Sequence, residues 1–562
     1  MPTTLSTPSP KLSIETIDRL LPQPARTVGD IETSFPPRTL GTAAEVTRVA
    51  PSPTGFMHIG GIYAGLISER LAHQSGGVFC LRIEDTDRKR EVEGARELIM
   101  DSLGLFNMPY DEGPLHKGEL GLYGPYTQSH REEIYHAYVR KMLDDGIAYP
   151  CFVTPEEQKS TTEQQMAQKI RPGYYGQWAA WRDRNEADVI AALDANKPFV
   201  IRFRNTGDIT KKTIVKDVMR GNKEYPQNDN DIVVLKADGL PTYHLAHVVD
   251  DHLMGTTTVV RADEWLASAT LHVQLAKALN ITPFRYAHYA PIQKMDGSSR
   301  RKLSKRKDPE AGVGFYFEQG YPTLAVIEYL LNQANASFED WRRDNPQEPY
   351  TNFQFDINKM PTNAGALFNI QKLDDVSRQF LARIMPEQLY EYAITWANDY
   401  DKELAQALRA DPDYAIRVFS IEREGNNRKD IAKLSDIREA YGFFFDVIYE
   451  QAIQNIEETD IAKISTEDRQ AIVEAFLTSY DAQDPQDIWF EKLKALGDKL
   501  GFTPDTREYR KHPDQFKGSV ADVAMTLRVA LAGRNRSPNL HEVLRVMGSD
   551  RMLQRLGRLI KS

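Results

Sequence analysis

The chain has 562 residues, too many for one hydrophobic core, and at roughly 150 residues per domain it predicts three or four domains. With 41% hydrophobic and 27% charged residues it reads as an ordinary globular protein; no apolar run approaches the roughly 20 residues of a membrane span, and two cysteines, Cys80 and Cys151, are too few for a disulfide framework or a four-cysteine zinc site. A formal net charge of −10 excludes a uniformly basic nucleic-acid binder but not a local basic patch.

Residues 1 to about 45 are rich in Pro, Thr and Ser, with short apolar patches such as Ile17 to Leu21. The acids Glu15, Asp18, Asp30 and Glu32 speak against an organelle presequence, and the segment reads as an extension packed in part on the body. Val46 to Ala50 is then a short β-type run. A Pro/Gly loop follows it, and a helical pattern places Ile59, Ile62, Tyr63, Leu66, Ile67 and Leu71 on one face until Gly76-Gly77. Val78 to Ile83 is a second strand, ending in Glu84-Asp85-Thr86-Asp87. Strand, helix, strand in this order predicts a right-handed unit of a doubly wound, Rossmann-like parallel sheet. Ligands of such sheets sit beyond the carboxyl ends of the strands, which puts the 51–58 loop and Glu84 on one rim.

From about Tyr123 to Asn230 the pattern changes: helical segments at Arg131 to Asp145, Pro155 to Lys169 and Glu186 to Ala195 precede a strand-like Phe199 to Arg204 and a polar stretch, Arg220 to Asn230. This predicts an α+β insertion. Asp231 to Leu235 and Pro241 to Val249 resume the β/α layout. Thr256 to Arg261 reads as another sheet strand with Ala262-Asp263-Glu264-Trp265 at its end. Beyond Arg306 the pattern is helical to the end, without a β-rich block.

Two phrases carry chemistry. In Pro51-Ser52-Pro53-Thr54-Gly55-Phe56-Met57-His58-Ile59-Gly60-Gly61 a histidine opens a helix, where it can donate to a phosphate that the free helix N–H groups also favour, and the small residues after it allow close approach. In Lys302-Leu303-Ser304-Lys305-Arg306 compact cations suit a phosphate chain that gains charge as a bond breaks. Taken alone, a bare His-x-Gly reads better as a capping histidine, and the lysine loop as a solvated basic loop. Lys294, Arg300, Arg301 and Lys307 read as periphery. Arg528 to Lys561, with eight basic residues against two acidic ones, is a second local basic stretch, suited to nucleic-acid backbone contacts.

The ordered pair resembles the signature sequences of class I aminoacyl-tRNA synthetases. The text between them is similar to glutamyl-tRNA synthetases: Arg48 to Gly55, Leu81 to Asp87, Pro241-Thr242-Tyr243, Val249-Asp250-Asp251 with Leu253-Met254-Gly255, and Val260-Arg261 to Trp265. The resemblance runs from about Glu45 to the C-terminus, where Leu527-Arg528-Val529-Ala530-Leu531 through Leu559 is similar to the helical anticodon-binding end of the bacterial-type enzyme. It implies an extension over 1–44 and a catalytic domain split between 45–122 and 231–300, with an acceptor-binding insertion at 123–230. A signature-loop and stem-contact domain over 301–370 and a helical anticodon-binding domain over 371–562 would follow.

The resemblance further implies His58, Lys302 and Lys305 as catalytic residues. ATP would be bound by Thr54, His58, Gly60, Gly61, Glu264, Leu303, Ser304, Lys305 and Arg306. L-Glutamate would be bound by Arg48, Ala50, Ser52, Glu84, Tyr243, His247 and Arg261, of which His247 departs from the family's Asn. Mg²⁺ would travel with ATP, and Cys151 without a Cys or His cluster implies no zinc. The acceptor is tRNA(Glu), with tRNA(Gln) as an additional candidate, and a cytoplasmic monomer with no membrane partner is expected. A glutamyl-transferring tRNA-modification enzyme would lack the helical C-terminal region, and a silent tRNA-binding relative would have lost His58, Glu84 or the lysines.

Overall fold

The computed structural model describes residues 11–55, 57–362, 365–423 and 427–561, so the first ten residues of the N-terminal segment and Phe56 of the first phrase lie outside the described residues. The chain forms two units, Met1–Val313 with Leu330–Phe368, and Gly314–Tyr329 with Asn369–Ser562.

In the first unit the strand Val46–Val49 lies parallel to Val78–Leu81, with Arg48 opposite Cys80, and the helix Ile59–Gln74 crosses between them. A second parallel pair, Thr258–Ala262 and Arg285–Tyr289, is joined by the helix Leu266–Ala278. The pairs meet where Thr257 N–H donates to the Val46 carbonyl at 2.9 Å and Val46 N–H to Thr257 Oγ1 at 2.9 Å. This is the doubly wound layout expected, with strand ends shifted by a residue or two. Gly77 allows the turn before the second strand: a Cβ there would stand 1.9 Å from the Glu45 carbonyl oxygen.

The insertion carries the helices Glu132–Asp144, Pro155–Ala167 and Glu186–Asp194 beside a three-stranded antiparallel sheet. Its strands are Ala148–Cys151, Val200–Phe203 and Val233–Leu235. The run Asp231 to Leu235, expected to resume the catalytic layout, therefore completes the insertion's sheet. The polar stretch holds a strand, Lys223–Pro226, paired with Lys212–Val215. None of its four residues is buried, so it has no apolar alternation to betray it.

The described part of the N-terminal segment, from residue 11, is folded. Helix Ile14–Leu20 is capped by Ser13, and Val28–Ser34 by a reciprocal Thr27–Asp30 box. Ile17, Leu21 and Ile31 join a core that includes Tyr135, Tyr138 and Val249. Arg140 reaches Asp18 at 2.5 Å, Arg26 pairs with Glu133 at 2.9 Å, and Arg38 grips Glu112 with two 2.7 Å hydrogen bonds while donating to the Met254 carbonyl at 2.8 Å.

Among its described residues the second unit is helical apart from one short strand pair, Phe502–Thr503 with Gly518–Ser519. Its core is built from residues such as Leu389, Val418, Phe444, Ile472, Leu527 and Leu556. The basic C-terminal stretch is largely turned to internal use. Arg555 is 2% exposed and donates to the carbonyls of Phe443 and Leu531 and to Asp446; Arg551 also pairs with Asp446, Arg558 with Glu450, and Arg545 with Glu542. Of these, Arg545, Arg551 and Arg558 keep side chains that are at least partly exposed, whereas Arg555 is committed to the core.

Candidate active site

His58 is the N-cap of the helix Ile59–Gln74. Its Nδ1 accepts from Gly60 N–H at 2.8 Å, so its hydrogen sits on Nε2. A Cβ at residue 60 would lie 3.0 Å from Nδ1, which explains the glycine. Burial pushes the imidazole's pKa down, and the Lys305 and Lys302 cations push the same way against a hydrogen bond to the Leu303 backbone. The two phrases, far apart in sequence, are thus neighbours, and the chain just beyond the second stays close: Val313 N–H donates to the Met57 carbonyl at 3.1 Å, and His58 bridges to Gly312.

The second phrase leaves a hairpin made of Gln293–Asp296 and Ser299–Lys302. Its anchor is Asp308, 2% exposed, whose oxygens accept two hydrogen bonds from Arg301 at 2.6 and 2.8 Å and one from Ser304 N–H at 2.9 Å. Those bonds hold its carboxyl far below the usual carboxylate range. Lys294 stands 3.5 Å from the same carboxylate, so Arg301 and Lys294 serve the loop's shape, in keeping with their reading as periphery. Lys302 Nζ pairs with Glu264 Oε2 at 2.7 Å, both about half exposed.

A cavity of about 1050 Å³ opens beyond the strand ends. Of the residues expected at the amino acid, Arg48, Ala50, Ser52, Glu84, Tyr243 and Arg261 line it; of those expected at the nucleotide, His58, Gly60, Gly61, Glu264 and Lys302 line it. Thr54, Leu303, Ser304, Lys305 and Arg306 stand outside its wall.

His247 is the exception among the amino-acid set. It is fully buried and absent from the wall. Its ring stacks on Tyr243 at 5.6 Å and 8°, and its Nδ1 lies 2.6 Å from Asp251 Oδ2. Burial pushes it down to about 3, so the ring is neutral and stands behind Tyr243, not on the wall where the other expected glutamate residues lie.

Arg48 and Glu84 are backed by a charge-balanced network whose further members, Arg82, Asp250, Asp251 and Arg131, sequence reasoning left without a role. Asp251 binds Arg48 Nε at 3.0 Å and Arg82 Nη1 at 2.7 Å, and the same Arg82 donates to Glu84 at 2.9 Å. Asp250 binds Arg131 at 2.7 Å, Gln128 at 2.9 Å and Tyr135 at 2.9 Å. Two buried arginines hold Asp251 well below its usual range, whereas burial outweighs Arg82 and Arg48 at Glu84 and raises it. The available signals were Arg82 two residues before Glu84 on one strand face, and adjacent acids in the apolar helix Tyr243–Leu253.

Cys80 and Cys151 are buried free thiols. Among the described residues no group of three or more His, Cys, Asp or Glu is arranged to hold a metal ion, and no helix is long and apolar enough to cross a membrane.

The family model described as "tRNA synthetases class I (E and Q), catalytic domain" matches residues 45–375, and one described as "Anticodon binding domain" matches 508–560. The chain is 44% identical to a glutamate--tRNA ligase of Clostridium perfringens over 93% of its own length and 96% of that protein's. It is 43% identical to one from Acetivibrio thermocellus over 97% and 99%. The crystal structure of a glutamate tRNA ligase from Elizabethkingia meningosepticum, in complex with its amino acid, is similar with a TM-score of 0.71 at 27% identity, covering 92% of this chain and 99% of that one.

Proposed function

The chain belongs to the glutamate--tRNA ligases among the class I tRNA synthetases, and from that premise we propose that it joins L-glutamate to tRNA(Glu) in two ATP-dependent steps. In the first, the glutamate α-carboxylate attacks the α-phosphorus of ATP; the bond to the β-phosphate oxygen breaks, and glutamyl-adenylate and diphosphate result. In the second, the terminal ribose hydroxyl of the tRNA attacks the activated carbonyl and AMP leaves. No protein nucleophile is needed, so the chain's contribution is positioning and charge stabilisation.

The observation that carries this reading is one cavity whose wall holds Arg48, Glu84, Tyr243 and Arg261 together with His58, Gly60, Gly61 and Lys302. Arg48 and Tyr243 take the glutamate side chain, Arg261 the α-carboxylate, and Glu84, helped by Ser52 and Ala50, the ammonium. His58, with hydrogen on Nε2, and the lysines of the second phrase stabilise charge on the phosphates; Thr54, Leu303, Ser304 and Arg306 shape that end, and Glu264 takes the ribose or adenine side. Mg²⁺ belongs to the ATP substrate and is held by its phosphates. The helical second unit and the anticodon-domain match support tRNA as acceptor over a modification enzyme lacking that region. Two buried free thiols suit a reducing cytoplasm.

Diphosphate exchange, run with glutamate or glutamine and with purified tRNA(Glu) or tRNA(Gln), tests the reading. Glutamate with tRNA(Glu) should support exchange, and glutamine should not, because an arginine set for a carboxylate is poorly satisfied by an amide. No exchange with glutamate under any tRNA condition would overturn it. Charging of tRNA(Gln) in the same assay decides whether the second acceptor is used.

A further inference from the structure

Arg48 meets a carboxylate directly, but Arg261 does not. Its Nε donates to His288 Nε2 at 2.9 Å, its Nη1 lies 3.1 Å from His272 Nδ1, and its plane covers the Tyr286 ring at 4.4 Å. The remaining nitrogen, Nη2, is buried without a hydrogen-bond partner, although Arg261 lines the cavity. A guanidinium has only donors, so both imidazole nitrogens facing it must present lone pairs. That fixes two tautomers. His288 carries its hydrogen on Nδ1, 2.6 Å from Asp217 Oδ2, and His272 carries its hydrogen on Nε2, 2.9 Å from His244 Nδ1. Burial keeps both rings neutral, with the Arg261 charge acting the same way.

Asp217 is outside the cavity wall and 5% exposed. It sits on a segment of the insertion that touches the edge of the main sheet, where Tyr286 N–H donates to the Lys216 carbonyl and Val218 N–H to the Tyr286 carbonyl, both at 2.8 Å. Its other oxygen accepts from Met219 and Arg220 N–H at 2.9 and 3.0 Å, so its direction is fixed by backbone.

We propose that His288, set by Asp217, and His272 are positioning residues for glutamate binding: they hold two edges of the Arg261 guanidinium and leave Nη2 as the donor for an incoming carboxylate. The intervening imidazole keeps Asp217 from pairing with Arg261 directly, so the guanidinium charge is not neutralised before substrate arrives. The inference rests on the reading of this cavity as the glutamate site.

The test separates an acceptor at Nε2 from mere bulk. His288→Asn keeps an amide near the Nδ1 position but nothing facing Arg261, whereas His288→Gln places an amide oxygen near Nε2. His288→Asn should raise the KM for glutamate roughly 10-fold or more, the loss of one hydrogen bond to a charged group, with the KM for ATP little changed; His288→Gln should recover most of it. If His288→Asn does not fold, Asp217→Asn against Asp217→Leu makes the same comparison, since only Asn keeps an oxygen for the Nδ1 hydrogen. Equal effects of the paired variants, or parallel rises in both KM values, would overturn the positioning role. Arg261→Ala is the control: an increase there with none in His288→Asn refutes the positioning alone, while no increase in Arg261→Ala removes the glutamate reading of Arg261 and the positioning with it.

Discussion

Four histidines, His244, His247, His272 and His288, crowd the helix and strand that carry Tyr243 and Arg261, and burial holds all four below their usual pKa, His244 down to about 4 and His247 to about 3. An unfolded histidine titrates near 6.5, so as pH falls below that value the unfolded chain takes up protons that the folded one refuses, and stability drops. His244 and His247 should each cost about 2 kcal/mol between pH 7 and pH 5. His73, raised by its hydrogen bond to Glu69, opposes them, because its contribution is complete below 6.5 and is lost as pH rises through its folded value. Urea unfolding at pH 7, 6 and 5 should show the midpoint falling across this range, and an unchanged midpoint would refute the balance. At this scale the sequence marked charged groups that line the cavity, since strand ends and signature spacing identify them. It did not mark their supports: Asp217 lies 71 residues from the histidine it sets, and nothing in local pattern joins the two.

At the scale of elements, the hairpin and the loop after it depend on a single carboxylate. Asp308 is the common acceptor for Arg301 and the Ser304 N–H, one on each side of Lys302. Replacing it by Ala frees the loop without touching the residues at the amino-acid end. Asp308→Ala should therefore lower the rate of adenylate formation roughly 10- to 100-fold, the cost of small misplacement of reacting groups, and leave the KM for glutamate near its original value. A glutamate KM that rises as steeply as the rate falls would show that the loop is not the element affected. Three strands of the main sheet were legible as buried apolar runs close to Gly or Pro; the fourth, Arg285–Tyr289, was not, because Arg285 and His288 break its apolar pattern. The pairing of Lys212–Val215 with Lys223–Pro226 was not, because a polar ribbon has no periodicity to read.

For the molecule as a whole, the first forty residues have the largest structural role that composition concealed. Their composition reads as an extension packed only in part on the body; Ile17 is 2% and Ile31 0% exposed, and ion pairs at Asp18, Arg26 and Arg38 flank them. Removing residues 1–37 should lower the melting temperature by several degrees, since burying each such isoleucine contributes roughly 1.5–3 kcal/mol; a truncated chain that melts with the full one would contradict this account. The arm also has a consequence for synthesis. Arg38 is held by the Met254 carbonyl, 216 residues further along the chain. At roughly 5–20 residues per second a ribosome needs on the order of 10–40 s to cover that distance. The helix Glu132–Asp144, against which both short helices pack, emerges about midway through that interval; until then their apolar faces have no partner, so the arm is a segment that nascent-chain chaperones would meet before it can close.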